Sequence, residues 1–267
     1  MSCPDCFRGH DHPGPTTGIE TKMYGLDVYV SNPPESASGE INGLIIIISD
    51  AFGWATNNLR RLADSYAKRT GWTAAPAWSK PVMDRILNDY SIWGCFAKPW
   101  HFLQALYAFI PFTMRNHPPK RYPSMVHFFS ELRSHQPSHM RIGAAGFCWG
   151  AYGVTRLARA EDLAPSGQPL LDVAYTAHPS EVEPAHFENV KIPYSLVIGD
   201  VDFALPKEQV ELVAITLEQN QDLPSEVVVI PNAKHGFAVR GNPNDPIEKE
   251  MADQAEEQLI RWFKLYL

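Results

Sequence analysis

Cysteine is scarce in this sequence, and positive charge is in deficit. Only four cysteines occur among 267 residues, at positions 3, 6, 95 and 148. That number is too small for a disulfide scaffold and fits the reducing cytosol, so we expect a cytoplasmic protein. Lys and Arg number 23 against 30 Asp and Glu, which gives a formal net charge of −7. This balance argues against a nucleic-acid-binding surface and against a polybasic membrane anchor.

Long apolar runs are also missing. The longest run, Phe102 to Phe112, is too short to span a bilayer. The Met-Ser-Cys-Pro-Asp start has no basic segment followed by an apolar one, so we expect no secretory signal. With 45% apolar and 20% charged residues, the composition is typical of a soluble globular protein.

Apolar runs alternate with helix-like patterns along the chain. We expect an irregular lead-in over residues 1–24 and a single domain over residues 25–267. Apolar runs bounded by turn residues predict one edge strand and five buried strands: Gly25–Val30 at the edge, then Leu44–Ile48, Arg141–Gly146, Leu171–Thr176, Tyr194–Ile198 and Val227–Ile230. Helical spacing of apolar residues predicts four helices: Thr56–Thr70, Trp149–Ala160, Pro206–Gln219 and one from about Pro246.

This alternation predicts an α/β fold, a mostly parallel sheet with helices on both faces. Thr56 is a predicted N-cap, and Pro206 is expected at the first position of its helix. Asp245-Pro246-Ile247-Glu248 supplies an N-cap, a proline and a capping-box acid. The aromatic and Pro-rich stretch Trp72–Pro119 is expected to form helices and loops near the sheet edge.

The peptide Gly146-Phe147-Cys148-Trp149-Gly150 lies between a predicted strand and a predicted helix. This is the nucleophile-elbow pattern with cysteine in place of serine. The nucleophile of such an elbow sits at a strained bend, so the positions two before and two after it have room only for small residues. A thiol at a helix N-terminus is also easier to ionise. Cys148 is therefore the predicted nucleophile, the alternative being a buried core cysteine.

An elbow nucleophile needs an acid and then a histidine, each on a loop after a later strand. Asp200 and Asp202 follow one predicted strand, and His235 follows the next. His235 is the predicted general base, and an acid on its far nitrogen would fix its tautomer. We favour Asp202 as that acid because it lies further into the loop, and Asp200 is the alternative.

Four ordered motifs carry a resemblance to the dienelactone hydrolase family of α/β-hydrolases. They span about Gly25 to the C-terminus: Asp50-Ala51-Phe52-Gly53, the Cys148 elbow, Gly199-x-x-Asp202 with Pro206, and His235-Gly236-Phe237 with Arg240. The resemblance implies the α/β-hydrolase fold and a Cys148–His235–Asp202 triad that cleaves lactones or activated esters through a thioester acyl-enzyme. It implies no metal or organic cofactor, and a small-molecule substrate.

The resemblance also implies roles around the triad. The backbone N–H groups of Ala51 and Trp149 would form the oxyanion hole, and Asp50 would lie beside the resting thiol. The predicted substrate-binding or activating residues are Asp50, Phe52, Arg240 and His178, the last because the loop His178-Pro179-Ser180 follows a predicted strand. Alternatives from the residues alone are a capping carboxylate for Asp50, a surface arginine for Arg240 and a simple turn at His178.

The chain departs from the family after the third strand, where Ala75-Pro76-Ala77-Trp78 replaces Pro-Asp and a glycine turn. Arg85 and Arg115 are candidates for binding a substrate carboxylate. The aromatic residues of this region would fill the core or line a pocket for a larger substrate: Trp72, Trp78, Trp93, Phe96, Trp100, Phe102, Tyr107, Phe109 and Phe112.

Three further readings stay open. The same site could run acyl transfer or C–C cleavage, the fold could bind a ligand without turnover, or Cys148 could serve redox chemistry. Cys3 and Cys6 with His10 and His12 have a hint of zinc-ligand spacing, but a flexible N-terminus is our default expectation. We expect a monomer or a homodimer.

Overall fold

The computed structural model describes residues 9–35, 43–54, 56–78 and 117–267. Within these ranges eight strands form one sheet in the order β1-β2-β4-β3-β5-β6-β7-β8. The strands are β1 Ile19–Met23, β2 Leu26–Val30, β3 Gly43–Ile48, β4 Thr73–Ala77, β5 Arg141–Phe147, β6 Val173–Ala177, β7 Tyr194–Gly199 and β8 Ser225–Ile230. Strands β3 to β8 pair in parallel, whereas β1 and β2 are antiparallel to their neighbours. The predicted α/β-hydrolase fold is confirmed.

Helices cover both faces of the sheet. They are α1 Asn57–Thr70, α2 Pro118–His135, α3 Trp149–Ala158, α4 Lys207–Glu218, the short α5 Phe237–Arg240 and α6 Pro246–Tyr266, with a 3-10 turn at Pro184–Phe187. Among the helices of these ranges, none combines the length and the apolar character needed to cross a membrane.

The run of isoleucines in β3 explains how one strand serves two cores. Successive side chains of a strand point to opposite faces. Ile46 and Ile48 pack in the core under α2, α3 and α4, and Ile45 and Ile47 pack in the core under α1 and α6. All six residues of β3 are buried, as the continuous apolar run predicted.

The N-terminal half contains elements that the sequence patterns did not predict. Strand β1 lies inside the lead-in that was expected to be irregular; four of its five residues are exposed, so it has no apolar alternation to detect. Strand β4 lies inside the sheet between β2 and β3, not at its edge. Alanine and Pro76 give it little strand propensity. Helix α2 was not predicted either, because its three prolines are poor helix formers.

The caps follow the predictions only in part. Asp245 caps α6, because its carboxylate accepts from the backbone N–H groups of Ile247 and Glu248 at 2.9 and 3.3 Å. The capping box is wrong: Glu248 accepts from the N–H of Asn242 at 2.7 Å instead. Thr56 stands at the N-cap of α1 without a side-chain bond, and Pro206 is the N-cap of α4 rather than its first residue.

The parallel strands bring the predicted site residues to one edge of the sheet. The carboxyl ends of β3, β5, β6, β7 and β8 point the same way, and the loops that follow them meet there. Asp50 follows β3, Cys148 follows β5, His178 follows β6, Asp202 follows β7 and His235 follows β8.

Candidate active site

Cys148 occupies a sharp backbone bend between β5 and α3. Its φ of 50° and ψ of −112° lie outside the regions that ordinary residues prefer. Such a conformation costs about 1–3 kcal/mol and persists only where the surroundings enforce it. Here the Cys148 N–H donates to the carbonyl of Ala177 at 3.2 Å, and its carbonyl accepts from Ala151 at 3.1 Å. The predicted elbow geometry is therefore present.

The two glycines of the elbow are required by close approach of the backbone. A Cβ on Gly150 would lie 2.3 Å from the carbonyl oxygen of Ile48 in β3. A Cβ on Gly146 would lie 2.8 Å from the Cα of Ala151 in α3. Both distances are shorter than van der Waals contact with backbone atoms that cannot move aside, so these positions exclude any larger residue.

His235 and Asp202 form a buried pair next to the elbow. Nδ1 of His235 lies 2.9 Å from Oδ1 and 3.0 Å from Oδ2 of Asp202, and both side chains are fully buried. Oδ1 of Asp202 also accepts from the N–H of Ala204 at 2.8 Å, which fixes the carboxylate. Asp200, the alternative acid, is exposed and accepts from the N–H of Asn232 at 2.6 Å. Of the two acids, only Asp202 meets the histidine.

The thiol and the imidazole shift each other's ionisation. Burial is the largest influence on the Cys148 thiol and raises its pKa, but the charge of His235 and the hydrogen bonds of His235 and Ser180 together outweigh it, so the pKa lies below its ordinary value. Burial alone lowers the pKa of His235, but Cys148 and Asp202 raise it to about 10. These directions favour a thiolate paired with an imidazolium over the two neutral groups. Nδ1 of His235 is held by Asp202, so Nε2 is the nitrogen left to exchange a proton with the thiol.

Asp50 is engaged by its own loop and by Arg240. One carboxylate oxygen accepts from the N–H of Phe52 at 2.9 Å, and the other lies 3.2 Å from Nε of Arg240. The guanidinium of Arg240 also stacks on the ring of Phe52 at 4.0 Å. Burial raises the pKa of Asp50, and the charge of Arg240 opposes this. Asp50 is thus not a helix cap, and Arg240, with 11% of its side chain exposed, is not a surface arginine.

His178 lies beneath the pair rather than at a surface turn. It has no exposed area, and its ring packs against those of His235 at 5.1 Å, Phe237 at 5.8 Å and Phe147 at 5.9 Å. Neither ring nitrogen bonds another residue in the described part of the chain. Burial, with the charges of His235 and Arg240, holds the pKa of His178 well below its usual value, so its ring is neutral.

The residues predicted for the oxyanion hole flank the elbow. Trp149 is the first residue of α3, directly after Cys148. Ala51 follows Asp50 in the loop after β3, and β3 is the direct neighbour of β5, with Ile48 opposite Gly146. Both residues therefore lie in segments next to the nucleophile, and their role as donors stays a prediction.

Two further residues touch the pair and were not singled out from the sequence. Oγ of Ser180 lies 3.5 Å from Sγ of Cys148. The ring of Phe203, 45% exposed, lies 4.9 Å from the ring of His235. Both follow strands whose ends were predicted, so the post-strand position that drew attention to His178 also applied to them.

The zinc and substrate-arginine hypotheses fall largely outside the described residues. Cys3, Cys6, Arg85 and Arg115 lie there, as do all the candidate pocket aromatics except Trp72 and Trp78. His12 lies within, and its Nε2 is 2.7 Å from the carbonyl oxygen of Gly241. No cluster of three or more potential metal ligands occurs in the described ranges. Trp78 packs on Phe128 at 5.0 Å, in the core rather than at the site.

Comparison with known proteins identifies the relatives of this site. The model of the dienelactone hydrolase family matches residues 120–267, more than half of the chain, including the elbow, the acid and the histidine. The chain belongs to the dienelactone hydrolase family. Members of this family are hydrolases, and the chain is accordingly a carboxylic ester or lactone hydrolase.

Individual relatives of this dienelactone hydrolase family member share its full length. The hydrolase pyvD of Aspergillus violaceofuscus is 29% identical, over 98% of this chain and 96% of its own. A putative dienelactone hydrolase of Klebsiella pneumoniae superposes with a TM-score of 0.66 at 19% identity, over 95% and 100% of the two chains. An esterase of Thermogutta terrifontis superposes with a TM-score of 0.63 at 14% identity, over 91% and 92%. The two structures share the fold.

The elbow geometry predicts different outcomes for two glycines of the same helix. Gly150→Ala places a methyl group against the fixed backbone of β3 and should lower the free energy of unfolding by about 3 kcal/mol. Gly153→Ala is the comparison, because its Cβ meets the side chain of Met125, which can rotate away as a backbone atom cannot, so this variant should lower the free energy of unfolding by less. Urea denaturation of both variants measures the difference. Equal stability of the two would contradict the steric account of the elbow.

Proposed function

We propose that this hydrolase cleaves its ester or lactone through a Cys148–His235–Asp202 triad and a thioester acyl-enzyme. One observation carries the proposal. A thiol on a strained bend lies beside an imidazole whose other nitrogen is held by a buried carboxylate at 2.9 Å. Nucleophilic catalysis by cysteine needs this arrangement of nucleophile, base and orienting acid.

The first half of the reaction forms the acyl-enzyme. The Cys148 thiolate attacks the carbonyl carbon, and the carbonyl electrons move to oxygen to give a tetrahedral oxyanion. The N–H groups of Ala51 and Trp149 would donate to that oxygen; such a donor is worth about 3 kcal/mol in the transition state. When the intermediate collapses, the C–O bond of the alcohol breaks, and the His235 imidazolium gives its proton to the leaving oxygen. In a lactone the alcohol stays attached to the acyl group.

The second half returns the thiolate. Neutral His235 takes a proton from water as the water attacks the thioester carbonyl, and the C–S bond then breaks with its electron pair on sulfur. Asp202 holds the imidazole with Nε2 facing the reacting atoms and stabilises the cation after each proton uptake. The product is the free carboxylic acid, and the imidazolium–thiolate pair is restored.

We also propose that Asp50, Arg240 and Phe52 set the charge around the thiol. The carboxylate of Asp50 opposes ionisation of Cys148, and Arg240 partly neutralises that carboxylate from 3.2 Å. A substrate that carries its own carboxylate would compete with Asp50 for the guanidinium. The preference for a substrate larger than a small lactone stays a prediction, because the aromatic segment behind it lies outside the described residues.

Removal of the nucleophile tests the mechanism first. Cys148→Ala should lower kcat/KM on activated esters by at least about a thousand-fold, because the triad acts as a unit. In the wild type, acid-quenched turnover followed by mass spectrometry should find the acyl group on the peptide that contains Cys148. An active Cys148→Ala variant, or an acyl group on another residue, would refute the proposal.

The two neighbouring aspartates provide a matched test of the orienting acid. Asp202→Asn keeps the shape but removes the charge beside His235, so kcat should fall by about a hundred-fold or more. Asp200→Asn alters an exposed carboxylate that does not meet His235 and should change kcat by less than about two-fold. Steady-state kinetics on one ester decide between them. Equal losses, or a greater loss at Asp200, would overturn the assignment of Asp202.

A further inference from the structure

The loop after β6 contacts both reactive side chains of the site. It runs from His178 through Pro179 to Ser180 and lies beside the elbow, because β6 is the direct neighbour of β5. His178 has a φ of 38°, in the left-handed region, and this turns the chain back toward Cys148. One end of the loop packs on His235 and the other end reaches Cys148.

Ser180 is attached to the elbow by its backbone as well as by its side chain. Its N–H donates to the carbonyl of Cys148 at 3.1 Å. Its hydroxyl oxygen lies 3.5 Å from Sγ, within hydrogen-bond range for sulfur. Because the backbone bond fixes the Cα, a single side-chain torsion decides whether the hydroxyl meets the thiol.

We propose that Ser180 is a catalytic residue of this hydrolase, whose hydroxyl donates a hydrogen bond to the Cys148 thiolate. The inference rests on the proposed function, in which Cys148 is the nucleophile. A thiolate has no proton and can only accept, so a hydroxyl at this distance must be the donor when Cys148 is ionised. A hydrogen bond to the charged form of a group stabilises that form.

The charges around Cys148 agree with a hydrogen bond from Ser180 that favours the thiolate. Burial raises the pKa of Cys148, and so does the carboxylate of Asp50. The charge of His235 and the hydroxyl of Ser180 both lower it. The neutral ring of His178 packs on the other side of His235 without adding charge. Arg240 faces Asp50 from α5. Ser180 is therefore an uncharged group that favours the thiolate directly.

The same bond acts at two points of the reaction. In the resting enzyme it raises the fraction of thiolate available for attack. In the acyl-enzyme the sulfur is neutral and accepts only weakly. When the C–S bond breaks and its electron pair returns to sulfur, the hydroxyl again stabilises the departing thiolate. Loss of the hydroxyl should therefore slow both acylation at low pH and release of the acyl group.

The test measures ionisation of Cys148 without relying on ester hydrolysis. The rate of iodoacetamide alkylation of the Cys148 peptide is followed by mass spectrometry across pH, in the wild type and in Ser180→Ala. A lost hydrogen bond to a charged group should raise the thiol pKa by about one unit, so alkylation below that pKa should be about ten-fold slower. The deficit in kcat/KM should likewise be largest at low pH.

Two comparisons separate this role from a structural one. Ser180→Thr keeps the hydroxyl and should retain most of the alkylation rate of the wild type. Ser180→Val has the same shape as Ser180→Thr but no hydroxyl, and it should be slow. Ser49→Ala is the matched control, because it removes a buried hydroxyl after β3 whose partner is the carbonyl of Trp78 at 2.7 Å. Its alkylation profile should match that of the wild type.

The outcomes are distinct. Superimposable alkylation profiles for wild type and Ser180→Ala, or for the Thr and Val variants, would overturn the proposal for Ser180 even if Cys148 is the nucleophile. Full activity of Cys148→Ala would instead refute the proposed function. The alkylation profiles would still show whether the hydroxyl of Ser180 stabilises the thiolate.

Discussion

The site depends on the interaction between a buried thiol and a buried imidazole. Burial opposes charge on each group separately, since it raises the pKa of the Cys148 thiol and lowers that of His235. The pKa of each group is shifted toward its charged form because the other is close, and Asp202 adds to this shift at the imidazole. The charges on the thiol and on the imidazole therefore depend on each other and on the neighbouring carboxylate of Asp202.

The fold fixes these distances through backbone constraints rather than through the reactive side chains. Cys148 sits on a strained bend that is tied to β6 by its N–H and to Ser180 by its carbonyl. Close packing surrounds the bend, since α3 lies so near β3 that only glycine fits at Gly150. His235 is held between two rings, Phe203 on the exposed side and His178 on the buried side. The parallel sheet delivers all these loops to one edge.

Sequence patterns predicted the elements with strong local signals and missed those without them. The isoleucines of β3 predict a buried strand, and the glycines of the elbow predict close backbone packing. The order of Cys148, Asp202 and His235 along the chain follows from the order of the strands. Strand β1 has four exposed residues of five, and β4 consists of three alanines, one proline and one threonine. Both strands therefore form because they pair with their neighbours and not because of strong strand propensity. Contacts across loops, such as those of Ser180, His178 and the Asp50–Arg240 pair, depend on tertiary packing that no single segment encodes.

The most direct test of the coupling between Cys148 and His235 is a titration of the Cys148 thiolate by its ultraviolet absorbance. The difference between the wild type and Cys148→Ala removes the signal of the other cysteines. We predict that the thiolate appears at a lower pH than that of an ordinary cysteine and that His235→Asn shifts its appearance to a higher pH, because the imidazolium is lost. A wild-type thiol that ionises only at about pH 8.5, the ordinary value for cysteine, would contradict it. So would a titration that His235→Asn leaves unchanged.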